Sequence, residues 1–199
     1  MNRIDMRKKL EKKLSPKRFE HSLGVEYTAS CMAMCHGVDI EKAAVAGLLH
    51  DCAKYLSTEK KIKVCKKNHL SISEYESQNP ELLHGKLGAL YAKTKYEVED
   101  SEILSAIAYH TTGKENMTPL EKIIYIADFM EANRKSIKNM DLIRKLAFTD
   151  LDDCLCQVMK STIHYLESKN AVIDDITLSA YEYYKNLLNF NVQENTDRS

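Results

Sequence analysis

An all-α helical bundle is the fold this sequence predicts, on three observations. Glycine and proline are scarce, 6 and 3 in 199 residues, too few for the tight turns of an all-β chain. Apolar residues recur at three- and four-residue spacing over long stretches. Several stretches open with an unambiguous helix start, such as Ser15-Pro16 and Thr118-Pro119-Leu120-Glu121. With 44% hydrophobic residues, a chain of this length buries a full core as one domain.

Taken in order, Ile4 to Leu14 reads as a short charged helix. Ser15 as N-cap and Pro16 at the first helical position start a second helix, which Gly37 stops after about His36. His21, Val25, Thr28, Met32 and Cys35 share one face of it. Asp39 caps a third helix, whose run Ala43-Ala44-Val45-Ala46-Gly47-Leu48-Leu49 has no polar face and belongs in the middle of a bundle. Its end carries His50 and Asp51 to the edge of that core. Ser57 opens a polar helix through about Asn68, and Leu70 to Pro80 is a connector of short turns. Pro80 starts a helix holding His84, Leu87, Gly88 and Tyr91. Ser101 to His110 follows, with Ile103, Ala106, Ile107 and His110 as one stripe. Thr118 and Glu121 form a complete capping box for a helix that carries Asp128 after the apolar run Ile123 to Ala127. Asp141 and Asp150 open two more, the second reaching about Ser168, and Leu178 to Phe190 is the last. The count is nine or ten helices. Residues 1–14 form the charged leading helix, 15–190 the folded unit and 191–199 a polar, fraying tail.

Composition excludes some functions. Lys+Arg 29 balances Asp+Glu 29, so no global field marks a nucleic-acid or acidic-membrane partner. The first residues lack an apolar signal core, and no run is long enough to span a bilayer. The six cysteines form no C-x-x-C pair and no zinc-finger spacing. Cys31 and Cys35, one turn apart, read as buried reduced thiols, which places the protein in a reducing cytoplasm.

His21, His50, Asp51, His84, His110 and Asp128 each adjoin apolar residues at or near a helix end. Singly, each has a structural reading, a core histidine with one hydrogen bond or a buried acceptor. Together they need mutual neutralisation, which a metal supplies. Imidazole and carboxylate donors without thiolate suit iron, manganese or zinc.

The order His, His-Asp, His, His, Asp resembles that of the HD-domain metal-dependent phosphohydrolases. The stretches His50-Asp51-Cys52-Ala53-Lys54, His110-Thr111-Thr112-Gly113 and Ala127-Asp128-Phe129-Met130-Glu131-Ala132-Asn133-Arg134 are similar to its YqeK branch, the iron-dependent, symmetrically cleaving diadenosine tetraphosphate hydrolases of bacteria. The similarity runs from about Ser15 to Ile176 without departure at a ligand position. It implies a single HD-domain bundle with one metal held by His21, His50, Asp51 and Asp128. It also implies a second metal at His84 and His110, with Asp51 bridging. Iron is the implied metal, and Asp51, His84, His110 and Lys54 are the implied catalytic residues. The implied ligand is a dinucleoside polyphosphate or nucleoside diphosphate, with a homodimer admitted.

Around these ligands, Lys54 lies one turn past Asp51 if the helix continues, and Arg134 nearly two turns past Asp128. Each is either a phosphate-gripping cation or a solvated charge. Thr111, Thr112 and Gly113 offer hydroxyls and a flexible backbone. Glu131 holds a hydrogen bond behind the ligands or orients Arg134. Ala171, Val172 and Ile173 are either a lid over a base or a hydrophobic clamp on the bundle. The competing functions are hydrolysis of another nucleotide and nucleotide binding without turnover.

Overall fold

The computed structural model describes residues 1–135, 137 and 139–196. Among these it contains eleven α-helices, one 3-10 turn and no strand. The helices are α1 (Arg3–Glu11), α2 (Pro16–His36), α3 (Ile40–Leu49), α4 (Thr58–Lys67), α5 (Glu74–Gln78), α6 (Leu83–Tyr96), α7 (Ser101–Tyr109), α8 (Pro119–Met130), α9 (Met140–Leu146), α10 (Leu151–Ser168) and α11 (Asp175–Thr196), with the 3-10 turn at Pro80–Leu82.

Capping chemistry sets most of the starts. Ser15, Asp39, Ser57 and Thr118 each accept the backbone N–H three residues on, and Asp150 accepts two. Thr118 and Glu121 cap each other reciprocally. Gly37 ends α2 with φ 65°, the left-handed region where glycine carries no side-chain penalty.

Helix α3 is the centre. Every residue from Ala43 to Leu49 is buried, and α2, α7 and α8 pack around it. Gly47 permits a close crossing with α2, since a Cβ there would stand 3.0 Å from Glu26 Cα. Glu26 is itself buried, and α1 neutralises it: Arg7 donates through Nη2 at 2.7 Å and Nε at 2.9 Å, with Arg3 Nε at 3.4 Å. Met6 and Leu10 bring the other face of α1 into the same core as α2 and α3.

Several local expectations are corrected. The connector before Pro80 holds an extra helix, α5, because Ser73 and Glu76 form a second capping box. Pro80 opens a 3-10 turn rather than the helix itself, which begins at Leu83. Asn139, not Asp141, precedes α9, with Asp141 in its first turn. The last helix starts at Asp175, where Asp174 accepts the N–H of Ile176, and it runs on to Thr196 through most of the tail. Residues 197–199 of that tail lie outside the described residues. Cys31 and Cys35 are exposed, because the buried stripe of α2 runs through Val25, Ala29, Met32 and Ala33 instead.

Helices α6 and α7 cross closely at Gly85, where a Cβ would stand 2.6 Å from the Ala108 carbonyl oxygen. Backbone cannot yield as a flexible side chain can, so Gly85→Ala should cost about 1–3 kcal/mol in overpacking. Alanine's better helix propensity returns only about 1 kcal/mol. Thermal unfolding of Gly85→Ala should show a melting temperature lower by several degrees. An equal or higher value would contradict the close crossing.

Candidate metal centre and active site

The ends of α3 and α7 carry two of the site's imidazoles. The last carbonyls of a helix have no intrahelical partner. His50, at the C-cap of α3, donates from Nδ1 to the Gly47 carbonyl at 2.7 Å, and His110, at the C-cap of α7, to Ile107 at 2.7 Å. His84, near the start of α6, uses the carbonyl of Glu81 in the 3-10 turn in the same way. A carbonyl oxygen only accepts, so each ring carries a proton on Nδ1, and in the neutral ring Nε2 keeps its lone pair. His21 on α2 turns its Nδ1 to Glu131 Oε1 at 3.1 Å.

The Nε2 atoms converge with two carboxylates. His21 Nε2 is 3.0 Å from Asp128 Oδ1 but out of line for a hydrogen bond. His50 Nε2 is 3.5 Å from Asp51 Oδ2 and 3.7 Å from Asp128 Oδ1. His84 Nε2 and His110 Nε2 lie 3.2 and 3.8 Å from Asp51 Oδ1, and 3.1 Å from each other. The buried Nε2 atoms of His21 and His50 have no hydrogen-bond partner. Buried acceptors without donors are rare and costly. Two Nε2 lone pairs facing each other add to that cost, and a cation among them relieves both. The groups His21–His50–Asp51, His50–His110–Asp128 and Asp51–His84–His110 each bring their ligand atoms within 4.8 Å of one another. This donor set fits a divalent metal.

Electrostatics agree. Burial pushes the carboxyls of Asp51 and Asp128 up, but the surrounding imidazoles outweigh it and hold both well below the usual carboxylate range. Burial opposes protonation of His50 as well, and the charges of Asp51 and Asp128 prevail and raise its pKa. For His110 burial dominates, and with His84 and His50 beside it the ring falls to about 3. Two carboxylates that stay ionised in a buried cluster call for a cation.

The surrounding residues differ from the sequence-based picture in trajectory. The chain leaves the helix after Leu49, so Lys54 arrives by a series of tight turns rather than along a helix. Its Nζ is 3.4 and 3.5 Å from the two ring nitrogens of His84, which places it over the ring rather than on a lone pair. Burial lowers its pKa. Helix α8 ends at Met130, and Glu131 turns inward to His21 and to the Asn133 N–H at 2.7 Å. Gly24 leaves room for that carboxylate, which a Cβ there would strike. Arg134 folds back onto Asp128, donating from Nε to its carbonyl at 2.9 Å and from Nη2 to Oδ1 at 2.6 Å.

Thr111 Oγ1 packs near Gly85. The Thr112 hydroxyl donates to the Gly113 carbonyl at 3.0 Å. Gly113, with φ 67°, is buried against Met159, Met117 and Tyr125. The 171–173 loop hydrogen-bonds elsewhere, from Ala171 N to Leu166 O at 3.0 Å and at Val172 O from the Tyr75 hydroxyl. Val172 is 66% exposed, so it does not clamp the bundle.

Two features escaped the sequence reading. Arg18 donates from Nη1 to Asp51 Oδ2 at 2.7 Å, and its position three residues before His21 on one helix face was the available signal. Lys61 is fully buried and pairs with Glu81, whose carbonyl orients His84. No sequence pattern marks that lysine as buried.

Comparison with known proteins places this geometry among relatives. The HD-domain family profile matches residues 18–133. A symmetrical bis(5'-nucleosyl)-tetraphosphatase of Bacillus subtilis is 37% identical over 92% of this chain and 97% of its own length. The enzyme of the same name from Staphylococcus aureus is 36% identical over 91% and 94%. A crystal structure from Clostridium acetobutylicum, described as a predicted HD superfamily hydrolase involved in NAD metabolism, superposes with a TM-score of 0.90 at 39% identity, covering 94% of this chain and 98% of that one.

His50→Ala or Asp51→Ala should abolish retention of a divalent metal, measured by elemental analysis of desalted protein. His36, whose Nε2 bonds the Ala147 carbonyl at 2.8 Å, and His69 and His164 stand outside the cluster, so replacing them should leave metal content unchanged. Chelation should also lower the melting temperature. A ligand at a hundred times its dissociation constant adds about 2.7 kcal/mol. Full metal retention in Asp51→Ala would contradict this assignment.

Proposed function

The chain belongs to the HD-domain family, and we propose that it hydrolyses diadenosine tetraphosphate symmetrically to two molecules of ADP at the His/Asp centre. One observation carries the chemistry: four imidazoles, each with Nδ1 engaged behind it, turn Nε2 towards two carboxylates, buried Asp51 and half-buried Asp128. The near full-length tetraphosphatase relatives support the substrate and the point of cleavage. His21, His50, Asp51 and Asp128 would hold one metal, and His84 and His110 a second, with Asp51 bridging. Iron is the proposed metal, and the same donors accept manganese or zinc. Bound there, a divalent metal supplies a Lewis acid and lowers the pKa of water from ~16 towards ~7.

The protein's own residues hold and orient. Nδ1 hydrogen bonds fix each ring's tautomer and aim. Lys54, partly desolvated over His84, gains from a phosphate brought beside it. Arg134 orients Asp128 and has Nη1 left for an anion. Thr111 offers a hydroxyl beside His110, and exposed Val172 with Ala171 and Ile173 a cover for a base. One nucleoside diphosphate half must sit with its terminal phosphorus at the centre while the other half leaves. The six free thiols support a reducing, cytoplasmic location, and no helix among the described residues is long and apolar enough to cross a membrane.

Turnover of diadenosine tetraphosphate in oxygen-18 water should yield only ADP, with one label on the terminal phosphate of half the molecules. ATP with AMP as products would overturn the symmetrical register. Lys54→Ala and Arg134→Ala should each lower kcat/KM roughly ten- to hundredfold, the scale of a lost charged hydrogen bond, at unchanged metal content.

A further inference from the structure

Each carboxylate of the centre, buried Asp51 and half-buried Asp128, carries one guanidinium, and the two are bonded differently. Arg134 uses its side-on edge, with Nε and Nη2 both on Asp128. Arg18 reaches Asp51 Oδ2 through Nη1 alone, at 2.7 Å, and makes no other side-chain hydrogen bond among the described residues. Its side-on edge, Nε with Nη2, is therefore free. Asp51 is only 4% exposed, whereas the Arg18 side chain is 36% exposed. The guanidinium thus stands at the mouth of the site with its inner corner anchored and its bidentate edge open.

We propose that Arg18 is a phosphate-binding residue of this centre, gripping a substrate phosphate through the Nε–Nη2 edge that Asp51 leaves open. That edge matches two oxygens of one phosphate, a geometry an ammonium cannot supply. The anchoring bond holds the guanidinium beside Asp51 before substrate arrives, so little rotamer freedom remains to be lost on binding. With a divalent cation held at Asp51, the carboxylate's charge would be partly taken up and the Arg18 guanidinium left in want of an anion. Lys54, 27% exposed, approaches the cluster from the segment after α3, whereas Arg18 approaches from α2. A phosphate chain over the centre then meets cations from two elements. The inference rests on the phosphohydrolase reading, and it assigns Arg18 a contact with substrate beyond its bond to Asp51.

Calorimetric binding of ADP to metal-loaded wild type, Arg18→Gln and Arg18→Lys tests this, with metal content and melting temperature measured on each sample. Arg18→Gln should bind ADP about ten- to hundredfold more weakly while keeping its metal. Arg18→Lys, which keeps charge but not the fork, should fall between the two. If Arg18→Gln does not fold, Arg18→Lys decides alone: weaker ADP binding at full metal content supports the proposal, and wild-type affinity overturns it. Wild-type ADP affinity in a folded, metal-loaded Arg18→Gln overturns it too. So does loss of metal together with affinity, which would make Arg18 a positioning residue for Asp51. The readout is affinity rather than turnover. A wild type that binds ADP yet leaves diadenosine tetraphosphate intact would overturn the proposed reaction and leave the role of Arg18 standing.

Discussion

Three short hydrogen bonds to helix-end and turn carbonyls, and a fourth to Glu131, determine what this protein's centre is able to do. Each one ties an imidazole Nδ1 outward and turns Nε2 inward. The unused carbonyls at the C-terminal ends of α3 and α7 make this arrangement available without extra residues. It explains why His50 and His110 lie at the C-terminal ends of their helices. His21, inside α2, finds its neighbouring carbonyls already bonded and uses the Glu131 carboxylate instead. Once the lone pairs converge on Asp51 and Asp128, the cluster is poorly satisfied by protein alone, as the orphaned Nε2 atoms of His21 and His50 demonstrate. The centre is thus built for a cation, and the fold bears its desolvation cost elsewhere.

The packing around the centre serves that geometry. Helix α3 is apolar on all sides because α2, α7 and α8 enclose it, and its end delivers His50 and Asp51 together. Close approach explains Gly24 and Gly88 nearby. Gly24 makes space for the Glu131 carboxylate behind His21, and Gly88 lets α6 pass the His50 carbonyl, which would stand 3.1 Å from a Cβ there. An ion pair between a buried lysine and an exposed glutamate reaches the same place from outside. Lys61 holds Glu81, whose main chain orients His84 and whose carboxylate lies 3.9 Å from Lys54. Charge, tautomer and position are set by linked contacts rather than by any single residue.

The helices were legible because their starts have local chemistry: Ser15, Asp39, Ser57, Thr118 and Asp150 all cap what they were expected to cap. The six clustered residues were legible because polar ligands interrupt apolar runs, and their convergence is visible in the structure. Trajectory past a helix end was not legible. Glu131 turns in to reach His21, so α8 stops early and Arg134 folds back on Asp128, an outcome set by a partner 110 residues away. Spacing puts Arg18 on the His21 face of α2, but its bond depends on Asp51 arriving from the end of a different helix. Buried Lys61 and exposed Cys31 and Cys35 likewise follow from neighbours that periodicity alone does not identify.

The central claim is that the converging Nε2 atoms and carboxylates form a metal centre. Anomalous diffraction from crystals of the metal-loaded protein, with data on both sides of the metal's absorption edge, tests it most directly. The expected result is a peak enclosed by His21, His50, Asp51 and Asp128, with imidazole nitrogens at about 2.0–2.2 Å as for first-row metal sites. A strong anomalous peak elsewhere on the protein, with this cluster empty and its imidazoles hydrogen-bonded to one another, would contradict the account.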